Sequence, residues 1–376
     1  MKLQNTDLDE TAFVGVCYPS RKLFRNETRL FMPASTTKLY TSWLACESLG
    51  EDFVFHSDYS VQGRTLYLSP RANPLLSEES FRDLLQDAGG HRIEAVVFAP
   101  HFLHAPRYPS TWAIGDVREA WGAPISDVCF RENFVTVDGS KDCAVTPSST
   151  YYALRRVRGL KRPFVRGRVV SVPAGYTGTF EFPMRNPEDF LAHWLGERMG
   201  GHPLKKRRGK LRGAATPFAH APLRDVLRTM NKRSVNILAE LLLRHALSAR
   251  RTPLDYEQPQ TAFTQALHPI HVDDALLYDG SGVSRYNLVS PAGTVRLLEA
   301  SKKFPSILDS LPIGGRDGTL ADRKLPRRIR AKTGSLTGVQ ALAGYDGDEP
   351  FSIMINHGPP DERVLVQAID RIVRGR

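Results

Sequence analysis

Ser35 and Lys38 stand three residues apart in the run Ser35-Thr-Thr-Lys38, and that pairing offers the first chemistry in this 376-residue chain. A serine hydroxyl is a poor nucleophile until a neighbouring base takes its proton. A lysine serves as that base only where burial or nearby cations lower its pKa. Two further runs follow in order, Ser234-Val-Asn236 and Lys332-Thr-Gly334. A second serine with an amide can relay a proton and hold a substrate amide. A lysine beside a threonine and a glycine can hold an anion against a bare stretch of backbone. Taken singly, each run has an ordinary reading: a helix-capping serine with a solvated lysine, a second cap, a surface charge on a strand. Each pattern occurs once, and together they describe acyl transfer by a serine.

The elements that must position these residues can be read around them. Pro33-Ala34 precedes a helix predicted from Ser35 to about Leu49, stopped by Gly50. Leu39, Trp43, Cys46 and Leu49 form an apolar stripe for burial. Ser35 then stands at a helix N-terminus, where backbone N–H groups favour developing negative charge, and Lys38 lies one turn away on the same face. Val235, Ile237, Leu238, Leu241, Leu242 and His245 predict a second helix up to Leu247. Ser234 and Asn236 converge on one site only if Ser234 belongs to the turn feeding that helix, for which Asn231, Lys232 and Arg233 supply polar residues. Ile329 to Gly334 alternates as an edge strand, with Val339 to Tyr345 and Phe351 to Ile355 as the next two strands and a turn at Gly347-Asp348. A last helix over about Asp361 to Arg374 buries Val364, Leu365, Ala368, Ile369, Ile372 and Val373. The pattern is an antiparallel sheet with helices packed on it.

With these runs in this order, the chain resembles the D-alanyl-D-alanine carboxypeptidase/endopeptidases, the low-molecular-mass class C penicillin-binding proteins. The likeness extends to Pro33-Ala-Ser-Thr-Thr-Lys-Leu39, Trp121-Gly-Ala-Pro-Ile-Ser126, Asp279-Gly-Ser-Gly-Val-Ser-Arg285, Leu311-Pro-Ile-Gly-Gly-Arg-Asp-Gly-Thr-Leu320, and Ala331-Lys-Thr-Gly-Ser-Leu-Thr-Gly-Val339 followed by Ala341-Leu-Ala-Gly-Tyr345. The resemblance implies an α+β fold: a transpeptidase domain like that of penicillin-binding proteins and serine β-lactamases, an antiparallel sheet with helices, carrying a large β-rich insert. It implies a serine-type D-Ala-D-Ala carboxypeptidase, a DD-endopeptidase or both, acting on peptidoglycan stem peptides through an acyl-enzyme and acylated by β-lactams. Ser35 would attack the penultimate D-alanine carbonyl and Lys38 accept its proton. Ser234 and Asn236 would relay that proton and hold the substrate amide. Lys332 and Thr333 would bind the terminal carboxylate, beside Gly334. The backbone N–H groups of Ser35 and Ser335 would form the oxyanion hole. A β-lactamase or esterase with the same apparatus, and a catalytically weak wall-binding protein, are the alternatives. Arg71-Ala-Asn-Pro74 replaces the Gly-Asp-Pro of that family, and the connections from Leu247 to Asp279 and at Gly347 look short.

We place the catalytic domain at 1–60 plus 214–376, with an inserted region at 61–213. The insert has sheet-like runs at Ile93 to Ala99 and Val165 to Val172, Pro-rich joints near Pro106 to Pro109 and an amphipathic stretch from Pro187 to Met199. The net charge of +11, with clusters at Arg155-Arg-Val-Arg158, Lys161-Arg162 and Lys205-Lys-Arg-Arg208, attracts polyanions without specificity. No nucleic-acid-binding signature accompanies it, so a solvated basic face is expected, with attraction to an anionic cell wall as its functional form. Cys17 and Cys46 read as core residues; Cys129 and Cys143 could pair in an oxidising compartment. No histidine cluster of metal-binding spacing is present, so no metal or cofactor is expected, and no run is apolar enough to span a membrane. Met1-Lys-Leu-Gln-Asn-Thr-Asp7 lacks the apolar core of a signal peptide. Action on peptidoglycan calls for the periplasmic or extracellular side, so an export signal outside this sequence or a misplaced gene start is expected.

Overall fold

The computed structural model describes residues 13–102, 105–140, 143–250 and 259–375; the opening heptapeptide lies outside them. The chain divides into two compact units. The first comprises Met1–Phe53, Pro109–Ala113 and Pro222–Arg376, and the second Val54–Tyr108 and Ile114–Ala221.

The first unit is built on a five-stranded antiparallel sheet in the order Ile329–Leu336, Val339–Asp346, Glu349–Asn356, Phe13–Tyr18, Leu23–Arg25. The strand carrying Lys332 is an edge strand, as its alternation predicts. Both faces of the sheet are covered. Val14, Val16, Leu342, Ile353 and Ile355 join Leu365, Ile369, Ile372 and Val373 of the C-terminal helix, Glu362–Arg374, in one core cluster. On the opposite face, Gly15 leaves room for Phe31 and Pro291, where the helix Pro291–Ser301 begins. Coverage on both sides explains why Val339–Tyr345 reads as a near-continuous apolar run and is buried throughout.

The helix carrying the Ser35 turn runs from Thr37 to Leu49, preceded by a 3-10 turn at Ala34–Thr36, with Gly50 as its C-cap. The stripe Leu39, Trp43, Cys46 and Leu49 anticipates burial along one face, but every residue from Thr36 to Cys46 is buried. The helix is central. It packs against the helices Leu223–Arg233, Asn236–Ala249 and Pro291–Ser301, so only its last turn, from Glu47, meets water. Its polar side chains are satisfied internally: Thr37 Oγ1 donates to Ala34 O at 2.8 Å, Thr41 Oγ1 to Gly280 O at 2.7 Å and Ser42 Oγ to Lys38 O at 2.7 Å.

The second unit holds a five-stranded sheet in the order Lys205–Arg208, Ala95–Phe98, Thr65–Ser69, Val54–Gln62, Thr216–Pro222, and two three-stranded sheets. The stretch read as amphipathic is the helix Pro187–Met199, whose Phe190 and Trp194 pack with Phe81 and Phe130 in an aromatic core. Cys129 is buried there, Cys143 is half-buried, and all four cysteines are free thiols. Among the described residues no helix is long and apolar enough to cross a membrane.

Candidate active site

Ser35 sits in a turn that the sequence shapes by crowding. Ala34 adopts a φ of 47°, a left-handed conformation that costs an L-residue about 1–2 kcal/mol and lifts the following serine out of regular helix. Two glycines make room for this turn. A Cβ on Gly282, itself at φ +86°, would stand 1.8 Å from Ala34 O. One on Gly334 would stand 2.5 Å from Pro33 O and 3.1 Å from Ser35 N. The glycine of the third run is therefore where the edge strand passes flush against the serine turn.

Lys38 is fully buried one turn along, and its Nζ has three neighbours: Ser35 Oγ at 2.9 Å, Asn236 Oδ1 at 2.7 Å and Ser281 O at 2.7 Å. Asn236 opens the helix Asn236–Ala249 and faces Lys38 from it. Burial pushes the Lys38 amine from 10.5 down to about 7, against the pull of Asp279 and Glu240, which favour the charged form.

Ser234 does not belong to that helix. It terminates the preceding one, Leu223–Arg233, with φ 61° in the left-handed C-cap position, so the turn between the two helices points it at the edge strand. There Lys332 Nζ donates to Ser234 Oγ at 2.9 Å and to Thr333 O at 2.8 Å. Lys332 is also fully buried, and burial followed by the nearness of Lys38 holds its pKa well below the ordinary lysine value. Thr333 Oγ1 donates to Thr319 Oγ1 at 2.8 Å. The Ser335 side chain lies 2.6 Å from Glu362 Oε1 and 2.9 Å from Gln340 Oε1. Its hydroxyl is thus committed, and what it offers the serine turn is backbone.

The structure brings the three runs together as two hydrogen-bonded clusters, Ser35–Lys38–Asn236 and Ser234–Lys332–Thr333, joined by the contact of Gly334 with the serine turn. It also shows what the polar residues of the turn before Ser234 bond to, and adds Thr319, Glu240 and Asp279, to which sequence reasoning assigned no role. Lys232 Nζ pairs with Asp317 Oδ1 at 2.6 Å, and Asn231 Nδ2 donates to Ser42 Oγ at 3.1 Å and Ser310 Oγ at 2.8 Å, which together pin the turn ending at Ser234. Thr319 meets Thr333. Beneath Lys38 lie Glu240, buried, and Asp279, buried. The signal for Glu240 was present in the sequence: a lone carboxylate four residues after Asn236, in a helix otherwise rich in leucine. Among the described residues no group of histidine, cysteine and carboxylate side chains is arranged to hold a metal.

Residues 20–156 and 212–375, most of the chain, match the D-Ala-D-Ala carboxypeptidase 3 (S13) family. The chain belongs to that family. The mixed helix-and-sheet fold expected from the resemblance agrees with this membership. It is 34% identical over 155 residues to D-alanyl-D-alanine carboxypeptidase DacB of Haemophilus influenzae, which covers 38% of this chain and 32% of that one. It is 28% identical to the D-alanyl-D-alanine carboxypeptidase of Actinomadura sp. (strain R39) over 414 aligned positions, 90% of this chain and 76% of that one. The aligned segment thus spans about a third of the Haemophilus relative's length and about three quarters of the Actinomadura one. The crystal structure of penicillin binding protein 4 (dacB) from Haemophilus influenzae superposes with a TM-score of 0.80 at 21% identity, covering 100% of this chain and 99% of that one. The same Haemophilus protein has been solved with a β-lactam, and that form superposes with a TM-score of 0.72. These likenesses establish the shared fold of the S13 family in this chain.

Proposed function

We propose that the protein is a serine D-Ala-D-Ala carboxypeptidase acting on peptidoglycan stem peptides outside the cytoplasmic membrane, through an acyl-enzyme on Ser35 that β-lactams also form. The observation that carries this reading is the set of partners around Lys38 Nζ. Asn236 Oδ1 and Ser281 O have no proton to give, so each accepts one N–H. Ser35 Oγ carries its own proton. As an ammonium Lys38 donates to all three oxygens; on losing one proton it keeps its bonds to Asn236 Oδ1 and Ser281 O and turns its lone pair to the Ser35 O–H. Burial of Lys38, with its amine pushed down to about 7, supports that neutral form near neutral pH.

In the reaction, Ser35 Oγ bonds to the carbonyl carbon of the penultimate D-alanine while its proton passes to Lys38 Nζ. The oxyanion forms beside the backbone N–H groups of Ser35 and Ser335, each such donor contributing about 3 kcal/mol of barrier lowering in comparable sites. The C–N bond breaks as the proton reaches the leaving amine through Ser234. Lys332 and Thr333 hold the terminal carboxylate of the departing D-alanine, whose negative charge favours the ammonium form of Lys332. Water then attacks the ester, with its proton again taken by Lys38, and releases the shortened peptide.

The test is intact mass after incubation with benzylpenicillin, with Ser35→Ala in parallel, and D-alanine release from a stem peptide ending in D-Ala-D-Ala. One stable penicilloyl adduct absent from the variant, together with release of D-alanine, is the expected result. Penicillin left intact with no adduct would overturn the reading. Rapid consumption of penicillin would make the protein a β-lactamase, and cleavage of cross-linked dimers in preference to linear peptides would make it an endopeptidase.

A further inference from the structure

The floor beneath Lys38 is a two-carboxylate arrangement that the acyl-transfer scheme does not use. Glu240 Oε1 accepts from Gly280 N at 3.1 Å and Ser281 N at 2.9 Å. Asp279 accepts from Gly282 N at 2.8 Å, Ser284 N at 2.6 Å, Asn287 Nδ2 at 2.7 Å and the indole N–H of Trp112 at 2.8 Å. The turn these carboxylates hold is the one whose Ser281 carbonyl takes an N–H from Lys38. Glu240 and Asn236 are four residues apart, so one face of one helix presents both a direct partner of Lys38 and the anchor of its other partner.

We infer that Glu240, supported by Asp279, is a positioning residue for Lys38: it aims the Ser281 carbonyl at the amine and places a buried carboxylate beneath it. The inference rests on the reading of Lys38 as the base in Proposed function. A carboxylate here has a cost, since burial and Asp279 push the Glu240 carboxyl up to about 7. A glutamine would keep the same two backbone hydrogen bonds without that cost. The charge itself is therefore what distinguishes the residue. It keeps a fully desolvated lysine from becoming too weak a base to take the serine proton.

Other charges near Lys38 are accounted for. Lys38 lowers the pKa of Lys332 on the edge strand, and Arg244, on the same helix as Glu240, favours the Glu240 carboxylate. Lys232 is turned to Asp317, and Arg296 of the helix Pro291–Ser301 to Asp274. The carboxylates that act on Lys38 are Asp279 and Glu240.

The experiment compares full-length wild type with E240Q, whose amide oxygen can still accept from Gly280 N and Ser281 N. Acylation by a fluorescent penicillin is followed across pH, and the Lys38 amine is titrated by NMR with isotope-labelled lysine, assigned with Lys38→Met. In E240Q the acid limb should move to lower pH, raising the ratio of the rate at about pH 6 to that at about pH 8 by roughly threefold or more, since half a pKa unit is about a threefold change. The Lys38 titration should move the same way. A folded E240Q with the wild-type ratio and the wild-type titration would overturn the inference, as would a uniform loss of rate at every pH, the signature of a purely structural role. A measurement on wild type alone covers the case in which E240Q does not fold. There the labelled Glu240 carboxyl and the Lys38 amine should titrate as a coupled pair, and two independent curves would overturn the inference. If wild type is not acylated at all, the function reading fails by itself, because the NMR arm reads Lys38 without turnover.

Discussion

Ser234 Oγ lies 2.9 Å from Lys332 Nζ, although 98 positions separate them in the chain. The contact exists because a left-handed cap ends one helix at Ser234 and an edge strand leaves Lys332 accessible to it. Under the proposed reaction this contact would tie the proton-relaying hydroxyl to the side chain that holds the substrate carboxylate, so that substrate binding and proton transfer would share one hydrogen-bonded chain.

Removing that hydroxyl should impair chemistry and spare the fold. Ser234→Ala is expected to slow acylation by benzylpenicillin by about 100-fold or more, the usual scale for loss of a general acid–base group. Its melting temperature should fall only modestly, since alanine keeps the C-cap backbone N–H bond to Met230 O and loses one hydrogen bond from Lys332, a net cost of about 1 kcal/mol. Stopped-flow acylation and a thermal melt on the same preparation check both halves.

The pH profile follows from Lys38. The base must be neutral, and with its amine at about 7 the acylation rate should climb with pH through that region and level off above it. Below it the rate should fall about tenfold per pH unit, as protonation removes the lone pair. Lys38→Arg, always protonated, should abolish acylation at every pH tested. A rate independent of pH between about 5 and 8 would contradict the role of Lys38.

Lys332 trades stability for recognition. Lys332→Met keeps the length of the side chain and removes an amine that burial disfavours as a cation, so the variant should unfold at the same temperature as wild type or higher. Its KM for a stem peptide should rise by roughly 100-fold, the scale of losing a buried charge partner for a carboxylate. A peptide amidated at its C-terminus should lose this preference for the wild-type enzyme, and comparing the two peptides on both proteins checks the assignment.

Gly334 should tolerate no side chain. A Cβ there meets Pro33 O at 2.5 Å, which is backbone and cannot swing away. Gly334→Ala is therefore expected to push the edge strand off the serine turn, lowering stability by about 2 kcal/mol and acylation by a larger factor than that loss of fold explains. Denaturant unfolding alongside penicillin labelling separates the two effects. Gly347, which has open space around it, is the control: Gly347→Ala should cost only the strain of its left-handed turn.

Much of the site is legible in the sequence because it is local. Three-residue spacing puts Ser35 and Lys38 one turn apart, two-residue alternation puts Lys332 on a strand with Gly334 after it, and the polar residues before Ser234 mark a turn. The strand and helix limits predicted around Val339–Tyr345 and Asp361–Arg374 lie close to those observed. The stripe read on the first helix was an incomplete guide: periodicity reports contrast between faces, and a helix surrounded on all sides shows little of it. Thr41 and Ser42 lie off that stripe and bond to backbone in the core.

What the chain determined by itself is the identity and order of the reacting groups and the local geometry of each run. Only the tertiary structure decided their chemical state. Lys38 and Lys332 are lysines in any conformation, but the lowering of their pKa values comes from burial by helices and a strand distant in sequence. Glu240, Asp279 and Trp112 acquire their positions around Lys38 by the same packing. Spacing along a helix or strand is set by backbone geometry that every few residues repeat. The dielectric around an amine is set by everything folded against it, which no short stretch of sequence contains.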